Sequence, residues 1–145
     1  MNFLDALKIS SSGLTAQRVR MTVISSNLAN MQTTRTPEGG PYRRKDVVFT
    51  TRPVESSFSD IMQESLGAKQ SGVRVAGIIN DSKPPLLKYI PGHPDADEKG
   101  YVSIPNINMM EEMVNLLSAT RGYEANVTAI KSAKDMALKA LEIGK

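Results

Sequence analysis

The longest regular pattern in the chain lies at its C-terminal end, from Asn108 to Ile143. Written as heptads with Met113 at position a, the a/d seam runs Met109, Met113, Leu116, Thr120, Tyr123, Val127, Ile130, Lys134, Ala137 and Leu141, and eight of these ten are apolar. A repeat sustained over about five heptads predicts one long helix with a narrow apolar stripe. Pro105 precedes it, Asn108 is a candidate N-cap, and Glu111 three residues later completes a capping-box pattern. Gly144 stands where a C-terminal glycine cap belongs. Gly122 is the one weak helix former inside, at about 1 kcal/mol against Ala. Such a helix is roughly 50 Å long, whereas a domain of this size is only about 30 Å across. A single chain cannot cover the whole stripe, so the helix wants a partner.

Residues 2–30 carry a second helical pattern. Phe3, Leu7, Leu14, Met21, Ile24 and Leu28 fall on one stripe, and four of them, Leu7, Leu14, Met21 and Leu28, recur every seven residues. Lys8, Arg18, Arg20 and Ser26 occupy the opposite face, while Gly13 and the serines at 10–12 weaken the helix near its first third. One reading is an amphipathic helix lying on a core. The other is half of an antiparallel coiled-coil-like pair completed by the C-terminal helix, and it is preferred because no large apolar body elsewhere in the chain could receive both stripes.

Between the helices the pattern changes. Thr36-Pro37-Glu38-Gly39-Gly40-Pro41 reads as a turn. Asp46–Thr51, Val73–Asn80, Leu86–Ile90 and Tyr101–Ile104 read as short strands, with Pro91-Gly92-His93-Pro94 as a tight turn and Pro105 as a stop. The stretch near 53–72 is rich in Ser and Gly and reads as a flexible insertion. The expected class is therefore α+β. Residues 1–30 and 106–145 supply the terminal helices of a core domain, and 31–105 supply a small β-rich middle region.

Composition narrows the functions on offer. The chain has 145 residues, 40% hydrophobic and 23% charged, which suits one ordinary folded domain. A net charge of +3 is not the footprint of a nucleic-acid binder. The cluster Arg43-Arg44-Lys45 could meet phosphates, but no basic face supports it, and a solvated loop or a protein contact is the simpler reading. The absence of cysteine excludes disulfides, thiolate metal sites and cysteine nucleophiles. No apolar run is long enough to span a membrane, and the N-terminus lacks the pattern of a cleaved signal peptide, so the expectation is a cytoplasmic protein or one exported by another route.

The search for chemistry finds little. Asp95, Asp97 and Gly100 match the first, third and sixth positions of a calcium loop, but Lys99 stands at the fifth and Asn106 at the twelfth, so a turn is the simpler reading. His93 is the only histidine and cannot by itself build a structural zinc site or a triad. No phosphate-binding glycine loop is present. The sequon Asn126-Val127-Thr128 falls inside the long helix and is discounted. The polar residues Asn30, Asn108, Asn115 and Asn126 sit in or beside the helices, where such groups can set register. No cofactor, metal or catalytic residue is expected.

Several segments carry a resemblance. Ser25-Ser26-Asn27-Leu28-Ala29-Asn30 resembles the signature of bacterial flagellar rod and hook proteins. So do Thr33–Lys45 with Val47-Val48-Phe49, Pro91–Asp97, Glu111-Glu112-Met113 and Arg121–Val127, in order and from near Met1 to near Lys145. Gly122 and Glu124 stand where the pattern has Ala and Gln. The resemblance implies a structural, non-enzymatic subunit of the flagellar basal-body rod, exported unfolded through the flagellar type III apparatus and polymerising into a tube that transmits torque. Implied partners are further copies of itself, the rod proteins FlgB, FlgF and FlgG, and FliE at the base. The assembly interface expected from the stripes is Leu7, Leu14, Met21, Ile24, Asn27, Leu28 and Asn30 on the first helix. On the second it is Met113, Leu116, Tyr123, Val127, Ile130 and Leu141. The competing reading is a cytoplasmic coiled-coil adaptor that binds one partner helix.

Overall fold

A computed structural model describes residues 3–53 and 71–143. Helix α1 spans Phe3–Ala29. It is followed by strands β1 (Lys45–Pro53), β2 (Ser71–Asn80), β3 (Leu86–Tyr89) and β4 (Tyr101–Ile104), and by helix α2 (Met109–Ile143). The class is α+β, with a long helix at each end and small antiparallel sheets between them. The glycine cap expected at Gly144 lies outside the described residues, and so does the part of the proposed flexible stretch between 54 and 70.

The start of α2 and the end of α1 lie where local chemistry dictates. Asn108 Oδ1 accepts the amides of Met110 at 3.0 Å and Glu111 at 3.5 Å, satisfying two of the orphan donors of α2. At the end of α1, the Asn30 side chain donates to Ser26 O at 2.9 Å and accepts from the Thr33 hydroxyl at 3.2 Å. Asn30 thus closes its own helix. The turn at Thr36 closes on Gly40 O at 2.9 Å, with Gly39 and Gly40 at φ +89° and +76°, a conformation that costs glycine nothing.

The two helices run antiparallel, and their register is fixed by four pairs: Gly13 with Asn126, Gln17 with Gly122, Met21 with Thr120, and Asn27 with Glu112. A methyl at Gly13 would lie 2.8 Å from Asn126 Oδ1, so glycine at this position permits the close approach. Gly122 faces the Gln17 side chain in the same way, and a methyl there would lie 3.3 Å from the Gln17 amide group. Neither glycine breaks its helix.

Strands β1 and β2 form a two-stranded ribbon with Lys45 opposite Asn80 and Thr51 opposite Val73, and a bulge at Val48/Phe49. The ribbon lies along α1. Its ends are fastened by the Val73 amide, which donates to Ser12 Oγ at 3.0 Å, and by Lys45, which bonds to Asn27 through both backbone groups. Ser12 and Asn27 are about 22 Å apart at 1.5 Å per residue. Lys45 and Thr51 are about 20 Å apart at 3.3 Å per residue, so the two spans between the fastenings match in length. Strands β3 and β4 form a separate hairpin, with Tyr89 and Tyr101 stacked edge to face at 5.4 Å. Asp97 Oδ1 accepts the amides of Lys99 and Tyr101, both at 2.9 Å, and shapes the hairpin turn.

The ribbon and α2 together supply the body that receives α1, which is flanked by both. The described core is thin: Ala16, Val23, Ile24, Val102, Ala119 and Ala133 are its buried apolar side chains, and three of the six are alanine.

Candidate functional site

Among the described residues the most buried polar side chains belong to a node where α1, the start of β1 and the first turn of α2 converge. Asn27 and Glu112 are 0% and 1% exposed. Asn27 Nδ2 donates to Glu112 Oε2 at 3.0 Å and to Lys45 O at 2.8 Å. Its Oδ1 accepts the Lys45 amide at 2.9 Å and the Tyr42 hydroxyl at 3.2 Å. All of the hydrogen-bonding capacity of one amide is therefore used, as burial requires. The amide faces the backbone of Lys45 as a neighbouring strand would.

Glu112 brings a carboxylate into the same place, which would be costly alone. Arg44 Nε donates to its Oε1 at 2.8 Å, and Arg44 Nη1 lies 3.4 Å from Asp46 Oδ2 and 3.9 Å from Asp81 Oδ2. Burial works to lower the pKa of Arg44, but the hydrogen bond and charge of Glu112, with help from Asp46, outweigh it and hold the guanidinium above its ordinary value. Arg44 is thus a permanent cation within the reach of three carboxylates. Arg44 of the basic cluster is consequently committed to Glu112, and Lys45 Nζ lies 5.7 Å from the Tyr42 ring centroid.

The arrangement can carry no obvious reaction. It contains no nucleophile–base pair, and among the described residues no group of three His, Cys, Asp or Glu could hold a metal ion. Its consequence is mechanical: three segments far apart in sequence are locked in one relative position.

The stripe residues are placed as follows. Ile24 and Asn27 are buried. Leu7, Leu14, Met21, Leu28, Asn30, Leu116, Tyr123, Val127 and Ile130 are half-buried, and Met113 and Leu141 are exposed. The seam that α2 presents to α1 shares Leu116, Tyr123, Ile130 and Ala137 with the heptad pattern. Its other positions are Glu112, Ala119, Asn126 and Ala133, each one residue before the expected Met113, Thr120, Val127 and Lys134, of which Thr120 still reaches Met21 and Val127 stays half-buried. The close helix approach selects small and hydrogen-bonded side chains there and turns Met113 and Lys134 outward. Sequence reasoning placed Glu112 in a resembling segment and Arg44 in a basic cluster but did not pair them, and no local signal does, since Glu112 lies off the heptad seam and 68 positions from Arg44.

Three of the segments that carried the resemblance meet at this node: Ser25–Asn30, Thr33–Lys45 and Glu111-Glu112-Met113. Comparison with known proteins agrees with that convergence. The family model described as Flagella basal body rod protein matches residues 7–35, and the one described as Flagellar basal body rod FlgEFG protein C-terminal matches residues 98–143. The flagellar basal-body rod protein FlgC of Bacillus subtilis is 49% identical, with 100% of both chains covered. That of Borreliella burgdorferi is 47% identical over 99% of this chain and 98% of its own, and that of Escherichia coli O157:H7 is 43% identical over 99% of each. The chain belongs to the FlgC family of flagellar basal-body rod proteins. It is a structural subunit of the rod in the bacterial flagellar basal body. Membership in a rod family carries assembly with other rod proteins. Among the described residues no helix is long and apolar enough to cross a membrane. The node joins the two segments matched by the family models, since Asn27 lies in one and Glu112 in the other, through Tyr42, Arg44 and Lys45, which lie in neither.

Proposed function

We propose that this rod subunit polymerises through its terminal helices into the tubular proximal rod and passes torque along them. The exposed side of the helix pair supports this reading best. Among the described residues ten of the eighteen exposed large apolar side chains lie on the two helices, and Met110, Val114, Leu117 and Leu141 are each more than 60% exposed. Side chains of this kind on one protein are stabilised by burial against another, at about 25 cal/mol per Å². A heterologous contact between such faces repeats along a helical path without closing.

On this reading the partners are further copies of the chain, FlgB, FlgF and FlgG along the rod, and FliE at its base. The chain is delivered unfolded by the flagellar type III apparatus. The inter-subunit surface then takes in Met113 and Leu141, which are exposed, and the open edges of Leu7, Leu14, Met21, Leu28, Asn30, Leu116, Tyr123, Val127 and Ile130, which are half-buried, whereas Ile24 and Asn27 are turned into the chain's own interior. Residues 1–30 and 106–145 act as one axial unit, and the insertion within the middle region 31–105 is the part that distinguishes this subunit from other rod proteins.

The test is the pair Val114→Asp and Leu117→Asp in a motile strain. The expected outcome is a secreted, helical subunit that fails to enter the basal body, with swimming lost. Normal swimming by both variants would overturn helix-mediated assembly.

A further inference from the structure

The β3–β4 hairpin has two chemically different ends. At its tip, Tyr89 pairs with Tyr101, and Leu87 lies two positions back on the same face. All three are exposed, at 61%, 43% and 69%. Asp95, Asp97 and Glu98 stand in the turn between the strands, against the single cation Lys99. The turn is fixed by its own bonds. Ile90 N donates to Gly100 O and Asp97 N to Tyr101 O, both at 2.9 Å, and Ala96 N donates to His93 O at 3.0 Å. The Thr34 hydroxyl donates to Asp95 Oδ2 at 2.8 Å, and Asp97 Oδ1 is taken by the amides of Lys99 and Tyr101. Glu98 is exposed, and no such bond holds it among the described residues.

The base of the hairpin is its opposite. Arg43, Lys83, Pro85 and Asn106 line a shallow slot of about 10 Å³ there, room for one water or one carboxylate oxygen. Its walls are fixed too: Asp81 N donates to Arg44 O at 2.7 Å, Lys83 N to Asp81 Oδ1 at 3.0 Å, and Asn106 Nδ2 to Pro84 O at 3.2 Å. Arg44 is spent on Glu112, Asp46 and Asp81. Arg43 and Lys83 are exposed, and among the described residues neither has a carboxylate within ion-pair distance.

We propose that the hairpin tip of one copy of this chain docks on the hairpin base of the next, with Glu98 at Arg43 and Lys83 and the Tyr89/Tyr101 face against Pro85. The inference rests on the self-assembly proposed above and concerns the middle region instead of the terminal helices. A second copy is the occupant because the two ends of one hairpin complement each other in charge. Tip against tip sets Glu98 beside Glu98, and base against base sets Arg43 and Lys83 beside themselves; tip on base alone joins unlike charges. Exposed tyrosines on a pre-organised turn anchor an interface at small entropic cost. The rim charges contribute orientation more than affinity. One chain cannot satisfy itself, because β3 alone holds tip and base about 10 Å apart. The contact is therefore heterologous and passes from copy to copy without closing.

The chain has no cysteine, so Lys83→Cys combined with Glu98→Cys gives a disulfide reporter with no background from this chain. The two positions are too far apart to bond within one chain, since a disulfide spans less than about 7 Å between Cα atoms. Intact basal bodies carrying the double variant, oxidised with copper phenanthroline, should yield a ladder of covalent multimers of this chain, and either single variant should yield none. Basal bodies that contain the double variant but give no ladder would overturn the hairpin contact and leave helix-mediated assembly standing. Dimers from Glu98→Cys alone would mean that tip meets tip and would overturn it as well. Absence of the parent chain from basal bodies would remove the reading on which both rest. A second measurement uses charge. Glu98→Lys, and separately Arg43→Glu with Lys83→Glu, should each shrink the swimming zone severalfold at an unchanged urea midpoint, and the three substitutions together should recover most of it. No defect in either variant, or no recovery in the combination, would overturn the pairing.

Discussion

Asn27 and Glu112 stand 85 positions apart in the chain and meet at 3.0 Å, almost wholly shielded from water. One is an uncharged amide that both gives and takes hydrogen bonds, the other a carboxylate that can only take them. The contact depends on that complementarity and on the guanidinium of Arg44 behind it.

Removing the carboxylate should therefore cost more than neutralising it. Glu112→Ala leaves Arg44 two of its three carboxylate partners and Asn27 Nδ2 one acceptor short. The expected loss is about 2–3 kcal/mol, toward the low end for a broken buried pair because Asp46 and Asp81 stay near Arg44. Glu112→Gln keeps an oxygen for a donor and should lose only about 1 kcal/mol. Urea midpoints of the purified subunits check the order, and equal losses would show that the charge contributes nothing.

Asn27→Asp should be worse than its size suggests. It sets a second carboxylate against Glu112 Oε2 and removes the donor to Lys45 O. Two carboxylates at this distance share a proton, which raises one folded-state pKa above its unfolded value. The sign follows: stability of this variant is greatest at acid pH and is lost as pH rises through that raised pKa. Denaturation at a series of pH values should show the variant approaching the parent as pH falls.

The parent should not show an alkaline transition at the node through neutral and mildly basic pH. Arg44 is held above its ordinary, already high value, so its share of stability is present below the unfolded pKa and is lost only as pH passes the folded one. A urea midpoint dropping near pH 9 in the parent and equally in Glu112→Gln would place the titrating group elsewhere.

The two seam glycines should respond differently to alanine. Gly13→Ala pushes a methyl to 2.8 Å from Asn126 Oδ1, and Asn126 is itself tied to Gly122 O at 2.8 Å. The overlap should outweigh the roughly 1 kcal/mol gained in helix propensity, giving a net loss. Adding Asn126→Ala should recover most of it. Gly122→Ala meets the end of the flexible Gln17 side chain at 3.3 Å and should fall within about 1 kcal/mol of the parent. Thermal melts of the four proteins decide the matter.

The secondary structure was largely legible from local signals. Asn108 as a cap, Pro105 as a stop and alternation in Val73–Asn80 act over a few residues, and the elements start and end close to where those signals place them. The helix seam was half legible. Leu116, Tyr123 and Ile130 announce themselves by size, but Ala119 and Ala133 do not, because a heptad reading rewards bulk where the close approach at Gly13 and Gly122 demands its absence. The node was not legible from residue patterns. Arg44 read as one member of a basic run and Glu112 as one charge in a first turn, and nothing local pairs residues 68 positions apart. The resemblance selected the right segments without saying that they touch.

The ribbon is fastened to α1 at Ser12 and again at Asn27, with most of the ribbon and rather more than half of the helix between the two fastenings. A strip held at one point can swivel about it; a strip held at both ends cannot. Twisting load on the strands is thus converted into sliding strain along the helix, which a ladder of parallel backbone bonds resists far better than a hinge would.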